Sequence, residues 1–136
     1  MSERTSLSER PTSLTVSDQD EIFDKIKLAI HDRVTIEFEY RELDERSTMR
    51  VVNPHLLGLI ENSATMDAYQ IGGESCEGRL PGWRRFRLAN IVRLKRSSNR
   101  FEPRSEFKVT PRRWKGVFES INGLGRHTLG KRSPRR

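Results

Sequence analysis

The spacing of apolar positions changes period near residue 33. Before it, Ile22, Ile26 and Ala29, with Phe23 and Ile30 beside them, form one stripe at helical spacing. Ser17 stands where its hydroxyl would cap the first turn, and Asp18, Asp20 and Glu21 stand where the helix dipole favours negative charge. This predicts a helix from Ser17 to about Asp32. Beyond it the period is two. Val34, Ile36, Phe38 and Tyr40 fall on one face, and Thr35, Glu37, Glu39 and Arg41 on the other, as in a strand buried on one side only. Residues 41–47 are polar and read as a turn. A second strand, roughly Thr48 to Val52, leads to Asn53-Pro54, where proline, which cannot donate to a ladder, either ends it or marks an edge. His55 to Ile60 is then a third strand or a bent extension of the second. A turn at 61–65, a strand from Met66 to Ile71 and a glycine-rich connection from Gly72 to Gly82 follow. Trp83 to Leu88 and Ile91 to Arg96 are the last two strands, joined by a tight Ala89-Asn90 corner.

After residue 97 the pattern is irregular up to Thr110, a helix-capping residue followed by Pro111. Trp114, Val117, Phe118 and Ile121 then recur at helical spacing, and Asn122-Gly123 supplies a stop. This predicts a short amphipathic helix over residues 111–122, which packs on the sheet or docks a partner. Residues 1–16 are rich in Ser, Thr, Arg and Glu and read as a disordered tail; residues 124–136 read as a basic, flexible one. The expected organisation is a domain over 17–104 that includes the leading helix, a helical extension over 105–123, and the two tails. The fold class is mainly β: about five short strands after a helix, forming a small bent sheet or barrel that manages its exposed edges.

Composition narrows the functional classes. The chain has 136 residues, 33% of them apolar and 33% charged, which allows one domain with a modest core. Net charge is +7, unevenly spread. Residues 1–78 hold 8 Lys and Arg against 16 Asp and Glu, a net −8, whereas residues 79–136 hold 18 against 3, a net +15. Such asymmetry points either to one positive surface facing phosphate, nucleic acid or an acidic protein, or to halves that neutralise each other in the fold. Cys76 is the single cysteine, so no disulfide framework or cysteine-rich metal site is expected within one chain, and a reducing cytoplasm fits. The N-terminus carries no apolar leader, and the longest apolar run, Leu56 to Ile60, is far too short for a bilayer. Catalysis finds little support. His31, His55 and His127 lie on different elements without metal-ligand spacing, no serine sits in a nucleophile elbow, and Glu74 and Glu77 would disfavour a Cys76 thiolate. The Gly72–Gly82 connection has neither glycine-rich phosphate-binding pattern, so no nucleotide cradle of that kind is expected. A non-enzymatic binding module without a cofactor is the reading these residues favour.

Several short signatures resemble the WYL-domain family of bacterial regulatory modules between Ile30 and about Arg104. They are the alternating strand ending in Tyr40, the R-V-V-N-P-H segment from Arg50 to His55, the Met66-Asp67-Ala68-Tyr69 strand, and Trp83-Arg84-Arg85-Phe86-Arg87-Leu88-Ala89-Asn90-Ile91. The stretch A-Y-Q-I-G-G followed by P-G-W-R is similar to a short, stand-alone branch of the family without a helix-turn-helix partner. The resemblance implies an Sm-like or SH3-like barrel. It also implies a sensor that binds nucleic acid or a nucleotide-like ligand through a basic pocket and so controls an attached or partner activity. This chain departs from the family pattern in two places: Ala64-Thr65-Met66 stands where the name-giving Trp-Tyr-Leu would be, and Ala89-Asn90 replaces an acidic–basic pair.

The candidate ligand-binding residues are Arg84, Arg87, Tyr69, Arg50, His55 and Arg85. Guanidinium groups bind phosphate through two parallel hydrogen bonds and stay charged at physiological pH. Alternation puts Arg84 on the side of Phe86 and Leu88, towards the mouth of a barrel, and Arg85 and Arg87 on the other side. Arg50 is either a contact or a structural partner of Glu37 or Glu39. Tyr69 stacks a base or completes the core, Trp83 stacks or anchors the loop, and His55 either donates to phosphate or fills a structural role. The partners expected are an anionic ligand or single-stranded nucleic acid, a regulatory protein and a second copy of the chain, with no membrane contact. The alternatives are a module that docks an acidic protein through the C-terminal helix, and a basic RNA-associated factor that binds through Lys131 to Arg136.

Overall fold

The computed structural model describes residues 16–41, 46–75, 78–109 and 113–123. Both expected tails, Cys76 and the Thr110-Pro111 helix start lie outside these residues, save that the helix reaches back to Val16. Helix α1 (Val16–Asp32) thus opens one residue earlier than expected. Ile22, Ile26, Ala29 and Ile30 bury its predicted stripe, while Asp24, Leu28 and His31 face outward. The helix stops at Arg33, whose φ of 59° turns the chain directly into strand β1 (Val34–Arg41).

The sheet is antiparallel and six-stranded. Its order is β4 (Gly82–Arg87), β3 (Ser63–Gly73), β2 (Ser47–Ile60), β1, β5 (Ile91–Arg100), with β6 (Gly116–Ser120) beside β2. A 3-10 turn at Leu88–Asn90 makes the predicted corner between β4 and β5. The ladder does not end at Asn53-Pro54: β2 is one strand of 14 residues. β3 runs along one of its edges. On the other, β1 pairs as far as Val52 and β6 takes over from Leu56. Pro54 sits between these two partners and at a register shift, where a missing N–H breaks no bond.

Two expectations need correction. Residues 116–120 are strand, not the centre of an amphipathic helix. Trp114, Val117 and Ile121 are buried, as their pattern required, but through pairing with β2. Gly58 makes the approach possible, since a Cβ there would collide with the Gly116 carbonyl and come within 2.8 Å of the Trp114 ring. The sheet is also open, because no ladder joins β4 to β5 among the described residues. It is bent instead. The Arg87 N–H donates to the Tyr40 hydroxyl at 3.1 Å, although β4 and β1 lie three places apart in the order. The Phe86 ring meets Phe38 and Tyr40 at 5.1 and 5.0 Å. Inside this bend, Ile26, Ile30, Ile36, Phe38, Val52, Leu56, Leu57, Met66, Phe86 and Ile91 form the core.

Candidate ligand site

Strand alternation gives the β2–β3–β4 region two unlike faces. Register pairs Met66 with Phe86 and Ala68 with Arg84 on the inner face, and Tyr69 with Trp83 and Asp67 with Arg85 on the outer. The chain leaving β5 crosses the outer face without regular structure. Two hydrogen bonds fix its course: Phe101 N–H donates to the Arg33 carbonyl at 2.9 Å, and Arg104 N–H donates to His55 Nε2 at 3.1 Å. Since Nε2 accepts, the proton of the neutral ring is on Nδ1, which donates to the Asn53 carbonyl at 2.9 Å. Burial, against the pull of that carbonyl, holds the His55 pKa below its ordinary value.

An aromatic layer surrounds this histidine. Trp83, Phe101 and Phe107 lie 4.9, 5.2 and 5.3 Å from its ring centre, and Tyr69 lies 5.3 Å from Trp83. The Arg104 guanidinium covers the Tyr69 ring at 4.0 Å. One carboxylate ties the layer to the crossing segment: Glu106 Oε2 accepts from Trp83 Nε1 at 3.1 Å and from Arg104 Nε at 2.6 Å. The Arg104 bond is the main reason the Glu106 carboxyl is held below the usual range, and the same bond raises Arg104.

A hollow of about 460 Å³ opens at the edge of this layer. Asp67, Trp83, Arg84 and Arg85 form its sheet side; Glu106, Phe107 and Lys108 form its other wall. Arg85 Nε donates to Asp67 Oδ1 at 2.8 Å, and the guanidinium lies 5.4 Å from the Trp114 ring centre. Arg84 is used differently. Its guanidinium donates to Ser75 Oγ at 3.1 Å, the Trp83 carbonyl at 2.8 Å and the Arg79 carbonyl at 3.2 Å, which fastens the β3–β4 connection to β4. Lys108 is exposed and makes no ion pair among the described residues. With Asp67 and Glu106 committed to arginines, the hollow keeps a positive balance.

The structure therefore gathers His55, Tyr69, Arg84 and Arg85 around Trp83, and it separates the other two candidates from them. Arg87 is exposed two register positions beyond Arg85, opposite Thr65. Arg50 is on the inner face: it is 4% exposed, donates to Thr48 Oγ1 at 3.0 Å and lies over the rings of Tyr40 and Phe86. It pairs in register with Phe38, so it does not face Glu37 or Glu39. Those carboxylates pair with Lys95 and Arg93. Arg104, Glu106, Phe107 and Lys108 were not legible as site residues, because no periodicity marks an irregular segment. The one signal was two phenylalanines, Phe101 and Phe107, in a stretch otherwise polar. Among the described residues no cluster of three or more His, Cys, Asp or Glu is placed to hold a metal, and no helix is long and apolar enough to cross a membrane.

Comparison with known proteins gives a family and a fold. The WYL domain family profile matches residues 21–96. Among solved structures, the chain is similar to proteasome accessory factor B/C (PafBC) of Arthrobacter aurescens, with a TM-score of 0.57 and 21% identity. The match covers 74% of this chain and 15% of PafBC, so the likeness concerns the fold of a small part of that protein. No curated protein matches the sequence.

Proposed function

This chain belongs to the WYL-domain family, and we propose that it is a non-catalytic regulatory module that senses single-stranded nucleic acid or a nucleotide-like anion in the hollow beside Trp83. The observation that carries this reading is a half-buried indole bordered by two exposed cations on opposite walls, Arg85 and Lys108. An indole face stacks any base, and the cations bind the attached phosphate. Arg85 would exchange its Asp67 partner for phosphate, and Lys108 would add a point charge from the opposite wall. Arg87 extends the positive track along β4. Arg84, His55 and Tyr69 act behind these contacts: Arg84 holds the connection at the rim, and the other two fix the aromatic layer. Arg50, on the inner face, supports the bend of the sheet.

The rival reading, docking of an acidic protein through a C-terminal helix, is weakened because the segment that would form the helix is paired to β2 as β6. Fluorescence anisotropy with a labelled single-stranded oligonucleotide separates the two. The Arg85→Ala/Lys108→Ala double variant is expected to bind at least about tenfold more weakly than the wild type, with a shallower dependence on salt. Equal binding by both proteins would remove the site. Failure of the wild type to bind oligonucleotide or mononucleotide at low salt would remove the function.

A further inference from the structure

Stacking on an indole does not choose between bases, so any choice falls to the walls of the hollow beside Trp83. Among the described residues two carboxylates line it, Asp67 and Glu106. Both oxygens of Asp67 accept from Arg85, at 2.8 and 3.4 Å. Asp67 is also paired in register with Arg85, two positions along β4 from Trp83, and so lies at the end of the hollow assigned to phosphate. Glu106 is placed differently. A carboxylate offers about four acceptor positions, about two on each oxygen. Trp83 Nε1 and Arg104 Nε take those on Oε2, and the backbone N–H of Glu106 itself is a third donor. At least one position is therefore open on Oε1. The side chain is 48% exposed, so a molecule in the hollow can reach it. It is also fixed, because the Trp83 and Arg104 bonds hold it at the edge of the ring on which a base would stack. The Arg104 bond keeps its carboxyl below the usual range, so the group accepts and does not donate.

We propose that Glu106 makes this site selective for guanine, by accepting from the Watson–Crick edge of a base stacked on Trp83. The inference rests on the reading of the hollow as a nucleotide site. The chemistry of the bases decides which one fits. Guanine presents N1–H and the N2 amino group side by side, two donors with no lone pair between them. Adenine and cytosine each put an amino donor next to a ring nitrogen whose lone pair would face the carboxylate. Uracil and thymine put a single N–H between two carbonyl oxygens. Only the guanine edge meets a negative acceptor without also opposing it. Arg85 and Lys108 remain on the phosphate, and a hollow of about 460 Å³ is large enough for one nucleotide. Because Glu106 is half exposed, water competes for its open position and the selectivity is modest, about fivefold over thymine or adenine.

Fluorescence anisotropy of the full chain with short labelled thymine oligonucleotides tests the proposal. One central thymine is replaced in turn by guanine, adenine or hypoxanthine, which keeps N1–H but lacks the amino group. The wild type is expected to bind the guanine oligonucleotide about fivefold more tightly than the thymine and adenine ones, with hypoxanthine between. Glu106→Gln keeps the size and a bond to Trp83 but presents a neutral group that is both donor and acceptor. It should reduce the guanine preference to less than about twofold and leave affinity for the thymine oligonucleotide within about twofold of the wild type. A residue that merely held the segment in place would instead weaken all four oligonucleotides together, and that result overturns the proposal. So does a wild type that binds all four equally, which leaves the Trp83 site standing without a base preference, or a guanine preference that survives in Glu106→Gln. A wild type that binds none of them removes the nucleotide site itself, and this inference with it.

Discussion

On the inner side of β2, β3 and β4 stand Val52, Met66, Ala68 and Phe86, packed with Phe38 and the apolar stripe of α1. On the outer side the same strands carry His55, Tyr69, Trp83, Asp67 and Arg85 beneath an irregular segment. Apolar burial holds the first face, a non-directional force that accepts neighbours of similar volume. Directional contacts hold the second. His55 receives one backbone N–H and gives its proton to one carbonyl, and Glu106 joins an indole to a guanidinium through a single oxygen. Core packing and the proposed recognition site thus lie on opposite sides of one set of strands. The outer side can vary its chemistry without disturbing the core, provided that His55 and Glu106 keep the crossing segment in place.

The largest expected effect is on the inner face. Phe86 is 2% exposed and packs against Phe38, Tyr40 and Arg50. Phe86→Ala should cost about 3–5 kcal/mol in urea denaturation, through lost burial and the cavity left behind. A smaller loss, of about 1 kcal/mol, would mean that the bend collapses onto the vacancy and that the two faces are less distinct than they look. Because this ring also holds β4 against β1, the variant tests whether the bend itself is a product of core packing.

How far each face was legible follows from the same contrast. Period-two alternation marked β1, and helical spacing marked α1, because burial on one side leaves a regular trace. The rest depended on partners distant in sequence. Pro54 suggested a strand end, but it lies where β1 hands the edge of β2 to β6. Trp114, Val117 and Ile121 imitate a helical stripe, yet Trp114 is buried because Gly58, on another strand, leaves room for its ring. In the candidate site, the residues on β3 and β4 could be named from the strand motif. Arg104, Glu106, Phe107 and Lys108 could not, since only their hydrogen bonds to distant side chains give that segment a shape. Arg50 was misplaced for a related reason. A lone arginine on an alternating strand suggests an outward charge, but here Tyr40 and Phe86 supply aromatic faces for a buried one.

A substitution of intermediate effect sharpens the picture of the outer face. His55→Leu preserves apolar volume but orphans the Arg104 N–H and the Asn53 carbonyl, and should cost about 1–3 kcal/mol. It should also change the response to acid. Burial places the folded-state pKa of His55 below its ordinary value of 6.5. An unfolded chain therefore binds a proton that the folded chain refuses, and stability falls with decreasing pH. This contribution is complete above about pH 6.5 and is lost progressively towards the folded-state pKa. Urea midpoints at about pH 7.5 and about pH 5.5 should differ in the wild type and differ less in His55→Leu. A variant with the same acid sensitivity as the wild type would show that the outer face is not organised around a neutral histidine.

The smallest effect belongs to a charge pair that lies on neither side of this division. Arg93 donates to both oxygens of Glu39, at 2.8 and 2.9 Å, and that geometry alone would suggest a strong contact. Yet the Arg93 side chain is 73% exposed, so water and salt screen the attraction and ordering the long side chain offsets much of it. Arg93 also has a φ of 52°, a conformation that costs a residue with a side chain something to hold. Arg93→Ala keeps that backbone cost and loses only the pair. It should change the unfolding free energy by no more than about 0.5 kcal/mol, and by less at high salt. The pairs Asp67–Arg85 and Glu106–Arg104 join the same residue types at similar distances. What sets them apart is the aromatic layer beneath them, so a large penalty for Arg93→Ala would remove the reason for treating the outer face as a specialised surface.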